Sequence, residues 1–243
     1  MKHVLSYLAV SCLLLSAGPL GPETSVAGVE PKLAFHLTDH ATKGRCSTAT
    51  PNGTNTPCSA FVTQGNLMTS YDAYIVLANV PVSGTAGATF GILYDQQSGS
   101  GVDVFDWVGC GDLEFPGNAW PEACGGNVIT WSTCQSEDIG GEGVQATLGS
   151  FYVYAYSNDS MLLTERLYVP NPDLQWSNCA ANTMNIQSQS TGEVRFGSGV
   201  GCNPCLKGCF GALPPTVSSG GADCSVPTKP VSWGGIKLRN RGN

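Results

Sequence analysis

Short apolar runs separated by turn residues recur along the chain from Leu33 onward. The run Ser70–Val80 is rich in β-branched and aromatic residues, which predicts a fully buried strand. In Gly87–Asp95, large apolar residues alternate with small ones, which predicts a strand with one face in a core. Further strands are predicted at Leu33–Thr38, Val102–Val108, Asn127–Thr133, Val144–Ser157, Met161–Val169 and Glu193–Phe196. Strands this short, at this spacing, predict an all-β chain folded as a β-sandwich.

Two local pairings follow from the same pattern. Met161–Val169 is predicted to be the hairpin partner of Val144–Ser157, because Asn158 and Asp159 between them favour a tight turn. Ala180–Ile186 is the one segment predicted to form a helical turn.

The N-terminal region has the order of a secretory signal. A basic Lys2 precedes the apolar run Val4–Leu15, and small residues around Ala27 suit a cleavage site. The apolar run is shorter than the roughly 20 residues that span a bilayer. Residues 1–27 are therefore predicted to be a signal peptide, and the mature chain to be secreted or displayed at the cell surface without a membrane span.

The composition changes again near the C-terminus. From Gly201 the chain is rich in Cys, Gly and Pro, and it ends in a tail with Lys229, Lys237, Arg239 and Arg241. We predict a β-sandwich domain over residues 28–200, followed by a Cys-rich extension with a basic tail over residues 201–243.

Cysteines support the extracellular prediction. Outside the signal segment they are Cys46, Cys58, Cys110, Cys124, Cys134, Cys179, Cys202, Cys205, Cys209 and Cys224. An even number in an exported chain predicts disulfides, and proximity in sequence favours Cys46 with Cys58 and Cys110 with Cys134. The spacing of Cys202, Cys205 and Cys209 also resembles a zinc site, but oxidising surroundings favour disulfides there. No metal is predicted.

Charge and composition narrow the class of partner. Charged residues make up 12% of the chain, and the formal net charge is −7. An acidic, lysine-poor surface disfavours nucleic acid and anionic membranes as partners. A glycan or another surface protein is the partner that we expect.

Catalytic signatures are scarce. His36 and His40 are the histidines after the predicted signal, and no Gly-x-Ser-x-Gly elbow occurs. Four-residue spacing puts both histidines on one face, so they are either a metal pair or ordinary polar residues at a strand end, and the second interpretation is favoured. No cofactor is predicted.

Loop carboxylates leave one route to catalysis. They are Asp112, Glu114, Glu122, Glu137, Asp138 and Glu142. A glycosidase needs two such groups about 5–9 Å apart, but acids are ordinary on an acidic secreted surface. Asp95, Asp103 and Asp106 are weak candidates for calcium ligands.

Aromatic residues are the candidate binding residues. Tyr152, Tyr154 and Tyr156 lie on one face of a single predicted strand, and Trp120 lies in a Gly- and Pro-rich loop where exposure is expected. Such a row either stacks on sugar rings or packs against neighbouring strands, and packing is the favoured interpretation.

Two resemblances accompany these patterns. Tyr74–Val80 with Gly87–Asp95 resembles the strands of cohesin and carbohydrate-binding-module sandwiches. Asp112–Pro116, Gly143–Ala146 with Phe151–Ala155, Asn203–Cys205 and the ending Val231–Lys237 resemble exported proteins of environmental bacteria that have no assigned activity. The resemblances imply a bacterial, immunoglobulin-like or cohesin-like sandwich that is exported.

Together these observations favour a secreted, non-enzymatic binding or structural protein. The alternative is a secreted polysaccharide-active hydrolase that uses loop carboxylates.

Overall fold

The computed structural model describes residues 30–41, 43–46, 55–95, 98–117, 120–166 and 173–209. The predicted signal peptide, Cys224 and the basic tail lie outside these residues. No helix in the described ranges is long and apolar enough to cross a membrane.

The described residues form twelve strands and two short 3₁₀ turns, at Cys58–Ala60 and Ser188–Ser190. The strands are β1 (Lys32–Asp39), β2 (Gln64–Gly65), β3 (Ser70–Val80), β4 (Thr85–Leu93), β5 (Val102–Gly109), β6 (Leu113–Glu114), β7 (Gly126–Gln135), β8 (Val144–Ala155), β9 (Asp159–Thr164), β10 (Gln175–Asn178), β11 (Thr183–Asn185) and β12 (Glu193–Phe196).

These strands make two sheets. The four-stranded sheet has the order β1-β3-β8-β5, with every pair antiparallel. The eight-stranded sheet follows the path β11-β10-β4-β9-β12-β2, and β7 pairs with both β4 and β6 beside it. The all-β, disulfide-bonded sandwich predicted from the sequence is confirmed.

The core lies between the sheets, where alternate residues of each strand point inward. Its largest fully buried side chains include Phe35, Ile75 and Phe151 from the four-stranded sheet and Phe90, Ile92 and Phe196 from the other sheet. A second, smaller cluster lies on the outer face of the four-stranded sheet. There Phe61 and Cys58 cover Ala34, Tyr74 and Val76.

Two local predictions are wrong. β8 pairs with β3 and β5, whereas β9 pairs with β4 and β12 in the other sheet, so the predicted hairpin does not form. The period-two pattern marks a buried face, but it does not say which sheet the strand joins. The predicted helical turn is also wrong, because Thr183–Asn185 forms a β-hairpin with β10.

Three of the four disulfides with both cysteines described join segments that are distant in sequence, and the fourth is local. Cys46 is bonded to Cys110, Cys58 to Cys205, Cys134 to Cys179 and Cys202 to Cys209. The predicted pairs Cys46–Cys58 and Cys110–Cys134 are therefore wrong, because the fold brings other cysteines closer. Cys124 is also disulfide-bonded. Cys202, Cys205 and Cys209 are therefore bonded in disulfides and do not form the zinc site that their spacing resembles.

The start of the predicted extension is fixed to the sandwich. Cys205 is bonded to Cys58, and the buried Asn203 side chain donates a hydrogen bond of 2.7 Å to the Cys58 carbonyl. Cys202 also exchanges two backbone hydrogen bonds with Glu193 of β12.

Candidate binding surface

The described residues cover the two halves of the outer face of the four-stranded sheet unequally. Phe61, Cys58 and the segment around Cys205 cover the half formed by Ala34, Tyr74 and Val76. The other half of this outer face is formed by the opposite ends of the same strands. Cross-strand pairing there places Tyr152 between Asp72 and Asp106, and Tyr154 between Ser70 and Asp103.

A short segment after β1 lies across part of this open half. His40 Nδ1 is 2.8 Å from a carboxylate oxygen of Asp72, and the Ala41 amide donates to the other oxygen at 2.8 Å. Arg45 extends further, to an ion pair with Asp106 on β5, and the disulfide of Cys46 holds the end of the segment.

Asp72 is the buried charge at the centre of this arrangement. Its side chain is 0% exposed, and a guanidinium nitrogen of Arg45 lies 3.8 Å away. Burial raises the pKa of Tyr74 to about 12, the negative charge of Asp72 adds to the rise, and Arg45 opposes it. The hydrogen bonds and the nearby guanidinium compensate for burying this carboxylate.

Tyr152 lies beneath this segment. Its ring stacks on His40 with centroids 4.0 Å apart and contacts Phe105 with centroids 5.3 Å apart. Both contacts use the ring of Tyr152, so this tyrosine packs within the protein. The predicted row of three tyrosines is therefore not a uniform open platform.

Phe105 is the most exposed aromatic side chain on this face, and a β-bulge puts it there. Val104 pairs with Val153 and Asp106 with Tyr152, so Phe105 is the extra residue of β5. Its side chain is 54% exposed. Sequence reasoning missed this residue, although a signal existed. Strict alternation from Val104 would turn Asp106 into the core and Trp107 out of it, and a bulge reverses both.

Tyr154 and Tyr156 follow Tyr152, the ring that Phe105 contacts, along β8 and just past its end. Their ring centroids lie 4.7 Å apart, Tyr154 is half-buried and Tyr156 is 36% exposed. Met68, which is 65% exposed, is held next to them because its amide donates to the Ala155 carbonyl at 2.7 Å. We call Met68, Phe105, Tyr154 and Tyr156 the apolar patch.

A pocket of about 490 Å³ opens next to Phe105. Its lining comprises Tyr94, Asp95, Ser98, Val102, Asp103, Val104, Phe105 and Glu122. Two residues of the lining are held by Asp159, which accepts hydrogen bonds from the backbone amides of Asp95 and Val102. Burial raises the pKa of Asp159, its backbone hydrogen bonds oppose the rise, and the charge of Asp95 adds to it. Asp95, Asp103 and Glu122 place three carboxyl groups in the lining of this pocket.

Trp120 does not lie on this surface. It is half-buried, and its ring packs on Phe90, Trp107 and Phe151 with centroids 4.9 to 5.5 Å apart. The expectation that it is exposed is wrong, because the loop that carries it folds against the open edge of the core.

The two histidines have separate roles. His36 is buried, stacks on Phe61 at 5.0 Å and accepts a hydrogen bond of 3.0 Å from the Val62 amide through Nδ1. His40 instead contacts Asp72 and Tyr152. Among the described residues, no group of three or more His, Cys, Asp or Glu is arranged to hold a metal ion.

Several of the candidate catalytic carboxylates accept hydrogen bonds that hold loops in place. Glu114 accepts from Trp107 Nε1 at 2.8 Å and from Asn127 Nδ2 at 2.6 Å. Hydrogen bonds from the Ser132 side chain and amide lower the pKa of Asp112. Glu142 accepts from the amide and hydroxyl of Ser59. Glu122 differs from these three, because it lines the pocket beside Phe105.

Comparison with known proteins gives a limited result. No protein-family model and no curated protein matches the sequence. Among solved structures, the chain is similar to a cohesin module of a family 33 glycoside hydrolase from Clostridium perfringens, with 9% identity, a TM-score of 0.39, and coverage of 68% of this chain and 97% of the cohesin.

Two further cohesins are similar to the same degree. The sixth cohesin of Acetivibrio cellulolyticus scaffoldin B, solved with a Cel5 dockerin, has 8% identity, a TM-score of 0.40, and coverage of 70% and 99%. A type II cohesin from the cellulosome of the same species has 9% identity, a TM-score of 0.39, and coverage of 64% and 88%. The similarity agrees with the cohesin resemblance of the sequence and carries no conclusion about function.

Proposed function

We propose that this chain is an exported binding module, and that it recognises its ligand through the half of the four-stranded sheet's outer face that the described residues leave more open. The observation that carries the proposal is the bulge in β5, which turns Phe105 outward against Tyr152, on the strand that also carries Tyr154. Bulges are over-represented at functional sites because they redirect a side chain. A contiguous exposed apolar patch on a soluble domain is typical of an interaction site.

The residues around the apolar patch favour ligand binding over catalysis. The segment from His40 to Cys46 is held by Asp72, Asp106 and a disulfide, so the patch has a fixed border. A rigid border lowers the entropy lost when a ligand binds. The signal-like N-terminus and the disulfides favour an extracellular location, where a surface protein or a glycan is the available ligand.

The rival function is hydrolysis of a polysaccharide by loop carboxylates. Glu114, Asp112 and Glu142 are each engaged as hydrogen-bond acceptors, and the lowered pKa of Asp112 makes it a poor proton donor. These engagements favour structural roles for the three side chains.

A paired screen tests the proposal. The purified mature chain is applied to a glycan array and to cell-surface extracts, and in parallel to chromogenic polysaccharides. Binding that is lost in Tyr154→Ala/Tyr156→Ala, while the unfolding midpoint is kept, is the expected result. Hydrolysis that disappears in Glu114→Gln would overturn the proposal in favour of the enzyme.

A further inference from the structure

The disulfide partner of Cys124 follows from the pairing of the other cysteines. Cys124 is disulfide-bonded, and each of the other described cysteines is already bonded to another described cysteine. Four disulfides thus contain eight of the 11 cysteines in the chain. Besides Cys124 itself, Cys12 and Cys224 are the two cysteines that are left, so its partner is one of these two.

Cys12 is not available in the mature protein. It lies in the apolar run Val4–Leu15 of the predicted signal peptide. Such a segment is removed when the protein is exported, so Cys12 would leave with it. Cys224 is then the one cysteine of the mature sequence that Cys124 can bind without breaking a described disulfide.

Cys124 lies beside β4 and is buried, with 2% of its surface exposed. Its amide donates to the Ile92 carbonyl of β4 at 2.8 Å. The next residue of β4, Leu93, pairs with Leu162 of β9, and Leu162 pairs with Glu193 of β12. Three neighbouring strands therefore connect the position of Cys124 to β12.

The described start of the C-terminal region lies at the other end of this path. Cys202 exchanges two backbone hydrogen bonds with Glu193, and a disulfide joins Cys202 to Cys209. Because paired strands are about 4.8 Å apart, the path from Cys209 to Cys124 is about 25 Å or less. The chain from Cys209 to Cys224 can extend to about 50 Å. Cys224 can therefore reach Cys124 while every described residue stays in place.

We propose that Cys124 is bonded to Cys224 in the mature protein. The two thiols form this bond by losing two protons and two electrons to a disulfide-class oxidant of the export compartment, through thiol–disulfide exchange. The predicted C-terminal extension would then be joined to the sandwich at two places, through Cys205 to Cys58 and through Cys224 to Cys124. The inference goes beyond the proposed binding function and does not depend on it.

Peptide mapping of the secreted mature protein tests this pairing. The protein is alkylated in denaturant without reductant and digested with pepsin at low pH, where exchange is suppressed because thiolates are protonated. We expect a linked pair of peptides that contain Cys124 and Cys224 and that separate on reduction. A bond from Cys124 to any other cysteine, alkylation of Cys124 or Cys224, or a covalent dimer joined through them would overturn the inference.

Single variants distinguish the two candidate partners. Cys224→Ser should leave one alkylated cysteine in the mature protein, and that cysteine should be Cys124. Cys12→Ser is the matched control, because it removes the other candidate, and it should leave no alkylated cysteine. Unlabelled Cys124 in Cys224→Ser, or labelled Cys124 in Cys12→Ser, would contradict the pairing. If Cys224→Ser is not secreted, the map of the unsubstituted protein decides the question by itself.

Discussion

His36 is a buried titratable side chain whose protonation the fold opposes. Its side chain is 3% exposed, and burial lowers the pKa to about 4 from 6.5. Protonation would also remove the lone pair of Nδ1 that accepts the Val62 amide. Between these two pKa values the unfolded chain binds a proton that the folded chain does not.

The expected consequence is loss of stability in acid. As the pH falls from about 6.5 to about 4, the free energy of unfolding should drop by about 3 kcal/mol through His36 alone. Denaturant unfolding across this range measures the drop. His36→Asn keeps an acceptor for the Val62 amide but does not titrate, so its pH profile should be flatter. Identical profiles in the two proteins would contradict the assignment.

Tyr152 and Tyr154 are chemically identical but are expected to have different roles. Tyr152 is packed between His40 and Phe105, whereas Tyr154 contacts Tyr156 at the edge of the open surface. We expect Tyr152→Ala to cost about 2 kcal/mol of stability, and Tyr154→Ala about 1 kcal/mol or less. Tyr154→Ala should instead weaken ligand binding by about 1–2 kcal/mol. Unfolding midpoints in the opposite order would mean that Tyr154 is the packing residue.

At the scale of the strand, Gly149 shows why β8 accepts a glycine at its centre. A Cβ atom at this position would overlap the Trp107 indole and the Val108 carbonyl of β5. Trp107 in turn packs on Phe151 at 4.6 Å and donates to Glu114. Because Gly149 has no side chain, the Trp107 indole can lie close to the backbone of β8.

Gly149→Ala should displace Trp107 and destabilise the protein by about 2–3 kcal/mol, as overpacking of a core does. Gly208→Ala is the matched control, because the nearest atom to a Cβ there is 3.9 Å away. Tryptophan fluorescence during denaturant unfolding reports both the stability and the environment of Trp107. If the two variants unfolded at the same denaturant concentration, the close packing of Trp107 on β8 would be disproved.

The longer strands were predictable, because each one carries a local period-two or continuous apolar pattern, whereas the short strands β2, β6, β10 and β11 were not predicted. The pairing of the longer strands was not predictable. Met161 and Leu163 point into the core whether β9 lies beside β8 or beside β4, so the pattern fits both sheets. The tyrosine row of β8 was visible in the sequence, but the covering of Tyr152 depends on His40, which lies across the sheet. The order Phe105-Asp106-Trp107 indicates the bulge. Strict alternation of inward and outward residues from Val104 would bury Asp106 and expose Trp107.

At the scale of the whole molecule, two disulfides with very different loop lengths involve the described start of the C-terminal region. Cys58–Cys205 closes a separation of 147 residues and fixes the described start of the C-terminal region against the four-stranded sheet. Cys202–Cys209 closes a separation of 7 residues within that region. Sequence proximity could not predict the longer pairing, because it depends on the completed sandwich.

The longer loop should contribute more to stability, since it removes more entropy from the unfolded chain. Chain-entropy arguments give a difference of about 2.7 kcal/mol between the two. We therefore expect Cys58→Ala/Cys205→Ala to lower the free energy of unfolding by about that much more than Cys202→Ala/Cys209→Ala. Chemical unfolding of both variants under non-reducing conditions measures the difference. Equal losses would show that the loop length is not the deciding factor.

Two exposed phenylalanines allow the most direct test of the binding surface. Phe105 is 54% exposed on the four-stranded sheet, and Phe115 is 53% exposed beside β7 of the other sheet. The same change to alanine therefore removes a similarly exposed ring from a different sheet in each variant. Affinity is measured for the ligand that the glycan array or the cell-surface extracts identify. We predict at least a threefold loss in Phe105→Ala, with wild-type affinity in Phe115→Ala. Equal affinity in both variants, or a larger loss at Phe115, would contradict the placement of the binding surface on the four-stranded sheet.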